Sequence, residues 1–300
     1  MVPKVFRPRA AGRAGFTLIE LLVVISIMSL LIGLIVSASM RFRETAAAEA
    51  DKTQIKQRQL KLYDDYSAVL QKCHQQPIPD EIVAFCEGNV DRARAVHTAA
   101  TLRAHFPETF VEAANDFTIN GYKYEKKSTF KAVVRVTGAT ADEEAAVLLY
   151  LILTERSVGG TGGSPDNVAA GEKRTVKFGV KDFEMFIDRR GTPLTYRRWL
   201  RSAELDAAPY SHLAPGSTID PLDPKNLVAG WTGAVGTANR TYLNKTTATS
   251  PNLGFGDPPT GTARRNRRPS VISFGKNKVY DNFAAGSDDL IGYQFDRQGK

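Results

Sequence analysis

Charge disappears from the chain between Leu21 and Met40, and this apolar run dominates its hydrophobic pattern. A leader, MVPKVFRPRAAGRAG, precedes it with Lys4, Arg7, Arg9 and Arg13 and no acid; Arg41 and Arg43 close it. As a helix rising about 1.5 Å per residue, the run spans about 30 Å, the thickness of a bilayer's hydrocarbon core. The basic leader predicts a cytoplasmic N-terminus, with everything after Met40 on the far side of the membrane.

The helical pattern continues past the membrane. Thr45 to Gln71 lacks Gly and Pro and is rich in Ala, Glu, Gln, Lys and Leu, all good helix formers. Ile55, Leu62, Tyr66 and Val69–Leu70 recur at helical spacing, and Pro77 and Pro79 end the segment. Short helices are predicted at Glu81–Phe85, Ala93–Phe106 and Glu108–Ala114. Residues 117–136 read as strands, with Asn120-Gly121 as a hairpin turn and Phe130 and Val133–Val136 as β-formers. Thr140-Ala141-Asp142-Glu143 is a capping box opening a helix through Leu153. That helix is apolar on most sides, so it is buried in protein, and its run AAVLLYLIL is too short to cross a bilayer.

Residues 157–174 read as a glycine-rich loop without the G-x-x-x-x-G-K-[ST] pattern of a phosphate loop. Strand character returns at Val176–Asp188, Leu194–Leu200 and Val271–Phe274, with a short end at Ile291–Phe295. Asp206 to Pro269 is dominated by Pro, Gly, Ser, Thr, Asn and Asp and reads as loop. The predicted fold class is α+β: a long N-terminal helix, half transmembrane and half amphipathic, packed on an antiparallel sheet with long loop insertions.

Composition changes this picture little. Apolar residues make up 42% and charged residues 24%, as in an ordinary globular body. Half of the net charge of +8 sits on the leader's four basic residues, so the remainder is too mildly basic to suggest a nucleic-acid partner.

Glu20 separates the N-terminus from an ordinary anchor or signal peptide. A signal peptide carries its small-residue cleavage site after the apolar run. Here Ala14-Gly15 lies before the run, although Ser37-Ala38-Ser39 stands at its far end. Neither class explains a carboxylate near the start of a spanning helix, which costs about 2.5–3.5 kcal/mol if it sits deep.

Gly15-Phe16-Thr17-Leu18-Ile19-Glu20 resembles the processing motif of type IV prepilins and type II secretion pseudopilins. The resemblance covers residue 12 to about residue 45. It implies that prepilin peptidase cuts between Gly15 and Phe16 and methylates the amino group of Phe16. It also implies that Glu20 neutralises the amino terminus of a neighbouring pilin-like subunit in a helical filament. An ammonium–carboxylate pair offsets two desolvation costs, which makes its loss expensive. Ser37 stands where many members of the family have a proline. The implied domains are a leader at 1–15, a membrane and filament-core helix at 16–72, and an extracytoplasmic globular domain at 73–300.

Asp188-Arg189-Arg190-Gly191-Thr192-Pro193-Leu194-Thr195-Tyr196 is similar to the D-x-W-G-x-P-x-x-Y stretch of major-type pseudopilins, with Arg190 in place of the tryptophan. Together the two resemblances imply a single-pass protein of the bacterial inner membrane. It would be a structural subunit of a type II secretion pseudopilus, raised by inner-membrane assembly machinery into a periplasmic or surface filament. The alternative is a minor pilin of a type IV pilus acting as adhesin or DNA-uptake module, which Arg264-Arg265-Asn266-Arg267-Arg268 would suit as a site for an acidic partner. No motif suggests an enzyme.

Three further constellations bear on chemistry. Cys73 and Cys86 allow a disulfide outside the cytoplasm or two separate thiols. With His74 and His97 they also allow zinc, although the Cys-x₁₂-Cys spacing is not that of a zinc ribbon or finger. Ser273-Phe274-Gly275-Lys276-Asn277 with Ser287-Asp288-Asp289 is similar to the C-terminal loop of major-type pseudopilins. That resemblance implies calcium held by Ser273, Asp288 and Asp289; Lys276 and Lys278 nearby oppose it.

Overall fold

The computed structural model describes residues 17–154, 170–199, 220, 222–245, 251, 253, 255, 269–275, 277–278 and 289–292. The chain divides into two units, Met1–Glu49 and Ala50–Lys300. Helix α1, Leu18–Gln75, is continuous in the chain through both.

In the first unit α1 carries a window of mean hydropathy 2.8, none of it buried, which is long and apolar enough to cross a membrane. Three of its serines keep their hydroxyls within the helix: Ser26 donates to Leu22 O, Ser29 to Ile25 O and Ser37 to Leu34 O. Back-bonding of this kind meets those three hydroxyls where hydrocarbon offers no partner. The helix passes Ser37 without a break.

In the second unit α1 buries Ile55, Leu62, Tyr66 and Val69 of the stripe predicted from spacing, with Leu70 half-buried, and also buries Cys73, Asp51, Gln54, Gln59 and Asp65. The buried polar groups are stitches. Gln59 Nε2 donates to Pro269 O at 2.9 Å and Oε1 accepts from Val271 N at 2.9 Å. Gln54 Nε2 donates to Ile187 O, and Asp51 Oδ1 accepts from Arg189 N, both at 2.9 Å. The compact body therefore takes in α1 from Ala50 onward.

Helices α2 (Asp80–Phe85), α3 (Val90–His105), α4 (Phe110–Ala114) and α5 (Ala141–Thr154) follow close to their predicted positions. Asn89 caps α3, accepting from Arg92 N at 2.9 Å. Thr140 and Glu143 form the predicted capping box, with Thr140 N donating to Glu143 Oε2 at 2.9 Å and Glu143 N to Thr140 Oγ1 at 3.3 Å. Strands β1 (Phe117–Ile119) and β2 (Tyr122–Tyr124) make the predicted hairpin. Asn120 and Gly121 both take positive φ, 49° and 87°, as a two-residue turn matching the strand twist requires.

Two further hydrogen-bonded arrangements lie among the described residues of the body. Strands β3 (Lys173–Phe178) and β4 (Lys181–Phe186) form a hairpin where the sequence reads as one stretch from Val176 to Asp188. Gly179, at φ 62°, supplies the turn. Strands β5 (Thr195–Arg197), β6 (Ser270–Ser273) and β7 (Leu290–Ile291) form a third antiparallel sheet in that order. Among the described residues the strand component is thus three small sheets in place of one.

Two sequence expectations are corrected. Ser128–Val133 is a 3₁₀ helix, although Phe130 and Val133 suggest a strand. Both residues are buried, and residues three apart eclipse in a 3₁₀ helix but point to opposite faces of a strand. Gly233–Asn244, within the expected loop, is helix α6. A Cβ at Gly236 would lie 2.3 Å from Trp231 Cδ1, so glycine is what lets the indole pack there. Asn239 Nδ2 donates to Phe85 O at 3.1 Å and Tyr242 OH to Thr118 O at 2.5 Å, which ties α6 to α2 and β1.

The described residues of the body form two cores. One gathers Ile55, Leu62, Tyr66 and Cys73 of α1 with α5, β4 and Tyr196. The other gathers Ile82, Cys86, α3, the β1–β2 hairpin, Trp231 and Leu243.

Candidate functional site

The start of α1 is built by one turn of local chemistry. Thr17 is the last residue before the helix and Glu20 lies in its first turn. Glu20 Oε2 accepts from the Thr17 amide and from Thr17 Oγ1, both at 2.9 Å, while Glu20 N donates to Thr17 Oγ1 at 3.3 Å. The first amides of a helix have no partner within it, and this reciprocal box satisfies two of them. A carboxylate there also meets the positive end of the helix dipole. Glu20 is therefore not a bare charge: its own first turn holds it, which offsets part of its insertion cost.

Gly15 and Phe16 lie outside the described residues. In the chain, a cut between them leaves Thr17 as the second residue of the product, next to the new amino terminus. The capping residue, the acid and the Gly15–Phe16 bond thus fall within six consecutive positions.

A family model described as the prokaryotic N-terminal methylation motif matches residues 11–36. The N-terminal segment is type IV pilin-like. Comparison with curated proteins and with solved structures gives no match. The pilin-like motif spans the Gly15–Phe16 bond, Thr17, Glu20 and most of the apolar run. It implies processing by prepilin peptidase and assembly with other pilin-like subunits, and with the apolar helix it fits an inner-membrane anchor. Proteins with this motif are structural, not catalytic.

The remaining sequence-predicted residues lie in the body. Cys73 and Cys86 are both buried free thiols, so the disulfide that the sequence allows is not formed. They belong to different cores, Cys73 to that of α1 and α5 and Cys86 to that of α2 and α3. Burial raises both thiols, Cys86 to about 12, so neither is poised to react. His97 gives Nδ1 to a 2.9 Å hydrogen bond with Tyr124 OH, and burial pushes it down to about 4. His74 is exposed. Among the described residues no three His, Cys, Asp or Glu side chains are grouped to hold a metal ion.

Asp188 organises the turn that opens the Asp188–Tyr196 stretch. Its Oδ1 accepts from Arg190 N at 2.9 Å and Thr192 N at 2.8 Å, and Gly191 takes φ 78°. Arg190 is exposed, so the aromatic position of the resembling stretch adds nothing to the core here. Ser273 Oγ donates to Asp188 Oδ2 at 3.1 Å. Ser273 pairs with Leu290, which brings the buried Asp289 to the same end of the sheet. Ser273, Asp188 and Asp289 offer the oxygen donors that calcium takes. Asp288 and Arg264–Arg268 lie outside the described residues.

The reading from sequence missed Thr17 and Asp188 as site residues. The signal for Thr17 is T-x-x-E, the same capping pattern that marks Thr140 and Glu143. Asp188 is visible in sequence only as a turn residue; its bond to Ser273 joins positions far apart in the chain.

Proposed function

We propose that this chain is a pseudopilin, a structural subunit of a type II secretion pseudopilus. Prepilin peptidase cuts it between Gly15 and Phe16 and methylates Phe16, and the product assembles through its N-terminal helix. The observation that carries this reading is the pilin-like motif at residues 11–36 with Glu20 at the head of an apolar helix. The stretch from Asp188 to Tyr196, folded as a tight turn into β5, supports the pseudopilin class over other pilin-like classes. The body lies outside the cytoplasm, and the assembly machinery of the inner membrane draws the subunit from lipid into the filament. There Glu20 exchanges its Thr17 partners for the ammonium of a neighbour. On the same resemblance, the C-terminal end of the third sheet takes calcium through Asp288, Asp289 and Ser273.

Deletion of the gene tests the assignment. A pseudopilin's loss abolishes secretion of exported proteins and leaves adhesion and transformation intact. Loss of adhesion or transformation with normal secretion overturns it in favour of a minor pilin. Mass spectrometry of the membrane-extracted protein tests the processing: a terminus at N-methylated Phe16 is expected, and an intact Met1 or a cut after Ser39 overturns it.

A further inference from the structure

One cavity of the body, about 170 Å³, lies between α3 and the segment 222–227. At ~30 Å³ for each water-sized group, it holds about five or six of them. Leu222, Pro224 and Leu227 give it apolar walls. Arg94 supplies a cation that is only half-used. Its Nη1 donates to Cys73 O at 2.8 Å and Gln76 O at 2.7 Å, carbonyls at the end of α1. Among the described residues its Nε and Nη2 make no hydrogen bond, and no carboxylate pairs with it.

The acids that line the same cavity are already engaged. Asp91 is paired with Lys225. Asp223 accepts from the amides of Leu227, Val228 and Ala229 at 2.7, 2.8 and 3.1 Å. The positive charge of Arg94 is therefore the one that stays unmatched at the cavity among the described residues. Thr98 also lines it, and its hydroxyl is buried with no partner. One turn on, Thr101 shows the usual resting place of a helical threonine, donating to His97 O at 2.9 Å. An unpaired buried hydroxyl is costly unless something else meets it.

We propose that this cavity binds a carboxylate carried on a short aliphatic stem. The carboxylate pairs with Nε and Nη2 of Arg94, a fork that matches carboxylate geometry. The stem lies against Leu222, Pro224 and Leu227, and rotation of Thr98 about χ1 gives its hydroxyl to the bound oxygen. The same chemistry is carried by a free branched-chain acid and by the C-terminal residue of a polypeptide.

The test uses the full chain in detergent micelles and titration calorimetry with two probes. One is 3-methylbutanoate against its neutral amide; the other is a short peptide ending in valine against the same peptide amidated. Saturable binding of a carboxylate form, weakened about tenfold or more in the amide and in Arg94→Gln, is expected. Binding of the free acid alone assigns a metabolite-like ligand, and binding of the peptide alone assigns a polypeptide terminus. Leu227→Trp, which fills the cavity and leaves the Arg94 side chain in the chain, abolishes binding and covers the case in which Arg94→Gln does not fold. No binding of either probe, or equal binding of acid and amide, overturns the proposal.

Discussion

Thr17 and Glu20 hold each other: one carboxylate oxygen of Glu20 receives both the amide and the hydroxyl of Thr17, each at 2.9 Å. The acid attributed to intersubunit pairing thus has an internal partner before assembly. Two substitutions separate the roles. Glu20→Ala should insert and be cleaved, but assemble slowly or not at all, because a neighbour's ammonium loses its partner. Thr17→Val keeps the charge and removes the cap, which costs the helix start about 0.5–2 kcal/mol, and should assemble. The measurement is the fraction of subunit in sheared filaments. Normal assembly of Glu20→Ala refutes intersubunit pairing here.

Gln59 is fully buried, and its two ends bond the backbone of Pro269 and Val271. Gln59→Ala leaves a buried carbonyl and a buried amide unmet, at about 1–3 kcal/mol each. A clear fall in the urea midpoint of the detergent-solubilised chain is expected. Gly292→Ala should also destabilise, since its Cβ would lie 2.6 Å from Gln59 Oε1.

Acid should unfold the body in two stages. Burial holds His97 and His105 neutral, each down at about 4 from an ordinary value near 6.5. Their contribution is intact above about pH 6.5 and is lost between there and pH 4, at up to about 1.4 kcal/mol per pH unit for each. Burial alone would raise Glu112, but Arg198 and Arg103 outweigh it and hold the carboxyl at about 2. Its contribution, present above about pH 4.5, is lost between there and pH 2. Burial raises Asp51, which acts in the opposite sense and favours the folded body as pH falls. Melting temperature should drop from pH 6.5 to 4 in the native chain and drop less in His97→Gln. A flat profile across that range would show that the histidines titrate normally.

Calcium should raise the melting temperature of the full chain in micelles, and chelator should reverse it. At a concentration 100 times the dissociation constant the gain is about 2.7 kcal/mol. Asp289→Asn should remove the calcium response. An unchanged midpoint at millimolar calcium excludes calcium as a ligand of this sheet.

The sequence by itself determined whatever rests on neighbours along the chain. The apolar run, its basic flanks and Gly15 to Glu20 identify the pilin-like N-terminus without reference to any fold. Thr140 with Glu143, Asn120-Gly121 and Pro77 with Pro79 set a helix start, a turn and a helix end through bonds within a few residues. Tertiary structure decided the rest, because there the stabilising partner lies far away in sequence. Phe130 and Val133 form a 3₁₀ turn because one core needs both on the same side. Gly233–Asn244 is helical, despite glycines and threonines that favour a loop, because Trp231 packs over Gly236 and Phe85 and Thr118 receive Asn239 and Tyr242. Cys73 and Cys86 stay free thiols: their spacing allows a bridge, but Cys73 packs in the first core and Cys86 in the second.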